Sequence, residues 1–147
     1  MDLEDERAVD AILEAAGVAN EPYRNYIKMK NDRVTNLNLS HCERLTTLPP
    51  EIGQLPNLIQ INFSHCKGLT TLPPEIGQLS KMLWLELCNC EALTTLPPEI
   101  GQLSKLDQLS LSGCKRLTTL PLEIGQLSEL TGLNLSGCKE LTMLPPE

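Results

Sequence analysis

From Val34 onward the sequence repeats itself every 24 residues, and this period restricts the possible folds more than any other feature of the chain. The units begin at Val34, Leu58, Met82, Leu106 and Leu130, and the fifth stops early at Glu147. They share the pattern LxxLxLSxCxxLTTLPPEIGQLSx. Composition agrees with a repeated packing unit. Aromatic residues make up only 3 % of the chain, whereas a conventional core of this length draws on more Phe, Tyr and Trp.

Each position of the unit has a physical reading. In Asn36-Leu37-Asn38-Leu39-Ser40 apolar and polar residues alternate, the period of a strand with one buried face. Leu37 and Leu39 are expected inward, Asn36, Asn38 and Ser40 outward. Cys42, Leu45 and Leu48 return inward at a spacing of three. Pro49-Pro50 lacks two amide donors and cannot continue a sheet or a helix interior. Ile52 and Leu55 turn back into the core, and Gly53 is expected to permit a tight bend. One unit alone cannot bury its apolar face, but stacked units can, with neighbouring strands about 4.8 Å apart in a parallel sheet. The expected architecture is a curved right-handed solenoid with strands on its concave side.

Residues 1–33 form a separate expected element, a helical cap on the array at 34–147, which holds four complete units and a partial fifth. Val9, Ile12, Leu13 and Ala16 lie at helical spacing and Gly17 follows as a stop. A second short helix is expected from about Glu21 to Lys30, with Tyr23, Ile27 and Tyr26 on its apolar side. The far end has no such cover. Leu133, Leu135 and Leu144 face a unit that is absent, and three accounts stand: further repeats beyond this point, cover by a partner or second copy, or fraying.

The motif LPPEIGQLSKL (Leu96 to Leu106) resembles the leucine-rich repeats of the Ras-binding group and its plant relatives. LSLSGCKRLTTLP (Leu109 to Pro121) resembles the repeat of plant intracellular immune receptors. The resemblance covers Val34 to Glu147. It implies an α/β leucine-rich repeat solenoid and recognition of a protein partner, and it carries over no nucleotide-binding, GTPase or kinase activity.

Charge and motifs narrow the function classes. The net charge is -7, which disfavours nucleic acid as partner, because phosphate contacts need clustered Lys and Arg. No apolar run is long enough for a membrane-spanning helix, and the acidic start MDLEDERAVD does not read as a secretory signal, so a cytoplasmic location is expected. Three N-x-S matches, at Asn38, Asn62 and Asn134, recur with the repeat inside expected strands and read as fortuitous glycosylation signals. No nucleophile–base pair, phosphate loop or paired carboxylate stands outside the period, so neither an enzyme nor a cofactor site is expected.

Cys42, Cys66, Cys90, Cys114 and Cys138 occupy one repeat position and read as a buried, reduced ladder. Cys88 replaces the serine found at Ser40, Ser64, Ser112 and Ser136. It is expected to face outward, either as a substituted surface serine or as a reactive thiol. His41 and His65 share a position and should be neighbours at the sheet's rim. Two imidazoles fall short of the three protein ligands of a catalytic zinc site, and no metal is expected.

The candidate partner-binding residues are therefore the outward strand positions Asn36, Asn38, Gln60, Asn62, Trp84, Glu86, Cys88 and Gln108. Trp84 stands out: it is the only tryptophan, and it lies mid-array where other units carry Asn, Gln or Gly. Such a residue is either an interface anchor or an aromatic ring folded onto the flanking strands. A non-catalytic protein-interaction module centred on Trp84, Glu86, Gln60 and Gln108 is the leading reading. The alternative is a structural subunit or spacer docked through the open carboxyl end, by self-association or onto further repeats.

Overall fold

The computed structural model describes residues 1–142, 144 and 145. One helix, α1 (Leu3–Ala15), precedes strands β1 (Ile27–Lys30), β2 (Arg33–Asn38), β3 (Gln60–Asn62), β4 (Trp84–Glu86), β5 (Gln108–Ser110) and β6 (Gly132–Asn134). The strands lie side by side in that order in one sheet. From β2 to β6 every pair is parallel and in register at the repeat period, Leu37 opposite Ile61, Leu85, Leu109 and Leu133 in turn. Strands β2 to β5 are each followed by a 3-10 turn, in order Pro50–Gln54, Pro74–Gln78, Pro98–Gln102 and Leu122–Gln126. These turns pack on one another as a second row on the opposite side. The solenoid is thus a thin sandwich of sheet and 3-10 row, filled from both sides.

The filling follows the sequence period. In the third unit Leu85, Leu87, Cys90, Leu93, Ile100 and Leu103 are fully buried, as are the equivalent residues of unit two, and in unit four all but Ile124 are buried. In the first three units an extended proline before the 3-10 turn and a proline at its first position start the return with a pre-set φ and no wasted donor, whereas the fourth keeps only Pro121 before Leu122. Gly53, Gly77 and Gly101 have a different role from the tight bend expected of Gly53, since none of their φ angles is positive. A Cβ at Gly77 would come within 2.7 Å of the Glu99 carbonyl oxygen, and one at Gly101 within 2.5 Å of the Glu123 carbonyl oxygen. Glycine is required there because successive 3-10 turns stack too closely for a side chain.

A second backbone requirement sits after each strand. His41, His65, Asn89, Gly113 and Gly137 occupy one repeat position, and all five have positive φ, between 58° and 73°. Left-handed backbone is tolerated by Gly, and by Asn and His more readily than by bulky residues. The choice of His, His, Asn, Gly and Gly at this position follows from that conformation.

The cap differs from expectation in its second half. α1 has the expected apolar spacing and Gly17 follows it with φ 75°; in addition Asp2 caps it by accepting from the Glu4 amide at 2.9 Å, and three acids fill its first turn. Its buried face, Ala8, Val9, Ile12 and Leu13, packs on the first 3-10 turn, so α1 takes the place of a preceding 3-10 row. Residues Glu21 to Lys30, however, do not form a helix. Tyr23–Asn25 is a single 3-10 turn, and Ile27–Lys30 is a strand antiparallel to β2. The reason is the Asn31-Asp32 pair, both at positive φ (51° and 62°), which closes a two-residue hairpin. The hairpin supplies the first strand with a partner that helical residues cannot provide.

Asp5 fastens the two parts of the cap. It is fully buried on α1, accepts from the Val34 amide at 2.7 Å and lies 2.8 Å from the Arg33 guanidinium. The Arg33 contact is a charge pair rather than an aligned hydrogen bond. At the other end Leu122, Leu133 and Leu144 are exposed, and Ile124, Leu130 and Leu135 are only partly buried. The stop of the fifth unit at Glu147 lies outside the described residues.

Candidate functional site

Register places the candidate residues in two rows across the sheet. One row reads Lys28, Asn36, Gln60, Trp84, Gln108 and Gly132, and the other Asn38, Asn62, Glu86, Ser110 and Asn134. Residues paired across strands point to the same side, so both rows line one face.

Within that face the side chains are committed unequally. Asn38 and Asn62 accept through their side-chain oxygens from the amides of Ser40 and Ser64, at 3.0 and 2.8 Å, and Asn134 does the same for Ser136. These asparagines fix the turn that leaves the strand. Units three and four carry Glu86 and Ser110 at that position, which releases Glu86 from the turn. Asn36 donates to Gln60 at 3.1 Å, and Gln60 donates to the Glu86 carboxylate at 3.1 Å. A continuous polar run therefore crosses β2, β3 and β4 and ends on a carboxylate. Gln108 donates to Thr131 at 2.9 Å and its amide lies over Gly132, in the space that a side chain there would take.

Trp84 remains 39 % exposed. It borders a groove of about 490 Å³ that runs over β4, β5 and β6, lined also by Glu86, Cys88, Gln108, Ser110 and Leu133. Cys88 lies beyond the end of β4, half-buried, with Sγ 3.0 Å from Ser110 Oγ. It lies in the turn that leaves the strand, and its side chain lines the same groove as Glu86 and Ser110.

The remaining cysteines form a ladder of another kind. The thiols of Cys66, Cys90, Cys114 and Cys138 reach the carbonyl oxygens of Leu39, Phe63, Leu87 and Leu111 at 3.0 to 3.2 Å. All six cysteines are free. Burial pushes the thiols of Cys66 and Cys114 up to about 12, and that of Cys90 further, with neighbouring thiols adding to the effect. Such thiols are hydrogen-bond donors and poor nucleophiles.

His41 and His65 stack with centroids 4.5 Å apart and planes within 6°. Parallel rings direct their nitrogens alike rather than converging on one ion. Among the described residues there is no group of three His, Cys, Asp or Glu able to hold a metal.

Sequence reasoning missed Lys28 and Arg24. Lys28 pairs with Asn36 and so stands at the head of the first row, and with Arg24 it lines a second groove of about 180 Å³ beside Asn36, Asn38, Gln60 and Asn62. The alternation in Ile27-Lys28-Met29-Lys30, followed by Asn31-Asp32, was the available signal.

Comparison with known proteins agrees with this geometry. The family model described as Leucine Rich Repeat matches residues 33–55 and 57–79. The leucine-rich repeat domain of the type III effector XopL is similar at 34 % identity, over 68 % of this chain and 34 % of that one, with a TM-score of 0.63. A leucine-rich repeat protein of Leptospira interrogans is similar at 36 % identity, over 78 % of this chain and 33 % of that one, with a TM-score of 0.60. A plant ice-binding protein shares the fold at 24 % identity and a TM-score of 0.74, over 92 % of this chain and 48 % of that one. The chain spans about a third of the length of the first two. No curated protein matches. The chain is a leucine-rich repeat protein. Domains of this class generally mediate protein–protein interaction. No described helix is long and apolar enough to cross a membrane.

Proposed function

We propose that the protein is a non-catalytic recognition module that binds a protein partner on the concave strand face, at Trp84, Glu86, Gln60 and Gln108. The observation that carries this reading is the change at β4. The Asn-based turn is interrupted there, a carboxylate ends the polar run, and the single tryptophan stands beside a groove. Aromatic residues at the centre of a polar surface are the side chains that dominate interface energies. Asn38 and Asn62 flank this centre and hold their strands' exits, so their contribution is structural. The free thiols suit a reducing compartment, which supports a cytoplasmic location.

The test is affinity capture from cell extract with the wild-type chain and with Trp84→Ala, read by mass spectrometry, with Lys105→Ala as a control outside the strand face. A specific partner should lose affinity by about thirtyfold or more on Trp84→Ala, the scale of a hot-spot residue. Equal capture by both variants removes Trp84 from the site.

A further inference from the structure

We infer that the strand face is electrically polarised and selects an extended peptide segment lying across the strands, with an anionic side chain over Lys28 and Arg24 and a cationic one over Trp84 and Glu86. This inference rests on the proposed binding role of that face.

The charges lie at separate places on one surface. Lys28 heads the first row and Arg24 lines the same groove, and both are exposed. Among the described residues neither forms an ion pair. Glu86 is the ionised residue among the strand positions of the two rows from β2 to β6. It accepts one hydrogen bond, from Gln60, which leaves its second oxygen free among the described residues. Between the two poles lie Asn36 and Gln60, neutral amides that can bond a backbone in either direction. Trp84 adds the face of an indole ring beside Glu86, and a ring face attracts a cation. A guanidinium meets both groups at once, stacking on the ring and bonding to the carboxylate.

The spacing fixes the length of the ligand. Lys28 and Trp84 are separated by three strand intervals, about 14 Å at roughly 4.8 Å each. An extended chain covers that distance in about four residues. The matching segment therefore carries an acidic residue and an arginine four positions apart.

The probe is the capped pentapeptide Asp-Ser-Gly-Ser-Arg, titrated at low ionic strength because exposed charges are screened within about 10 Å at 0.1 M salt. Trp84 is the sole tryptophan, so its fluorescence reads the site directly. Saturable change is expected with this peptide, with binding at least fivefold weaker for Asn-Ser-Gly-Ser-Gln. Arg24→Glu with Lys28→Glu should weaken the charged peptide and favour Arg-Ser-Gly-Ser-Arg instead. Glu86→Gln should remove the preference for arginine over glutamine. If charged and neutral peptides bind alike, or if the reversals leave the preference unchanged, the polarised alignment is wrong, while the partner capture and its Trp84 dependence stand separately. Absence of any response to the charged peptide also overturns the inference.

Discussion

The most searching test of the stacking logic is one substitution made at a single repeat position in three different units. Leu39, Leu87 and Leu135 are equivalent, each the second inward residue after the strand begins. Leu39 and Leu87 are fully buried, Leu87 between two repeats and Leu39 between one repeat and the cap, whereas Leu135 is only partly buried. Leu→Ala removes three carbons, about 2.4 kcal/mol of lost transfer energy at roughly 0.8 kcal/mol each. A cavity on the order of 50 Å³ that fails to collapse adds about 1.2 kcal/mol at ~24 cal/mol per Å³. Leu39→Ala and Leu87→Ala should therefore each cost about 3.5 kcal/mol. Leu135→Ala loses part of the transfer energy and leaves no closed cavity, so about 1 kcal/mol is expected. Urea unfolding followed by far-UV circular dichroism, with Trp84 fluorescence as a second probe, gives the differences. If Leu39→Ala is as mild as Leu135→Ala, the cap does not cover the array as a stacked unit would, and the reasoning fails. Equal costs at all three positions refute the claim that cover by a neighbouring unit decides burial.

Two further outcomes follow from the cap and the thiols. Asp5→Leu leaves Arg33 without its buried partner and the Val34 amide without its acceptor, and should cost about 3–5 kcal/mol in the same unfolding assay; Asp5→Asn, which keeps an acceptor for Val34, should recover part of that loss. The raised thiols of Cys66 and Cys114 hold their protons in the fold and release them on unfolding near the ordinary thiol value. Their contribution is therefore complete below about pH 8.5 and is lost as pH rises toward about 12. Denaturation midpoints should fall across that window more steeply for the wild type than for a Cys66→Ala, Cys114→Ala variant; parallel curves contradict the assignment.

Much of the array was legible because its period leaves few choices. With the same residue types at the same intervals, local alternation and the need to bury leucines jointly fix strand, turn and return. Residue identity also carried the first helix, through its apolar spacing and Gly17. The second half of the cap was misread because Tyr23, Ile27 and Tyr26 also fit a helical spacing. What makes Ile27–Lys30 a strand is the exposed edge of β2, a long-range demand that local spacing does not express.

The candidate site divides in the same way. That Asn36, Asn38, Gln60, Asn62, Trp84, Glu86 and Gln108 share one surface follows from alternation and a constant period. Which of them are occupied was decided only by tertiary contacts. Asn38 and Asn62 turn back onto their own backbone, Gln60 reaches across to Glu86, and Gln108 leans over Gly132. Cys88 follows the end of β4 and its thiol meets Ser110 of the next unit, so it lines the groove from the turn. Sequence determined the stack because every unit must hide the same apolar face. Structure decided the surface, because an exposed polar side chain has no burial energy to fix it and takes whatever partner the neighbouring unit offers.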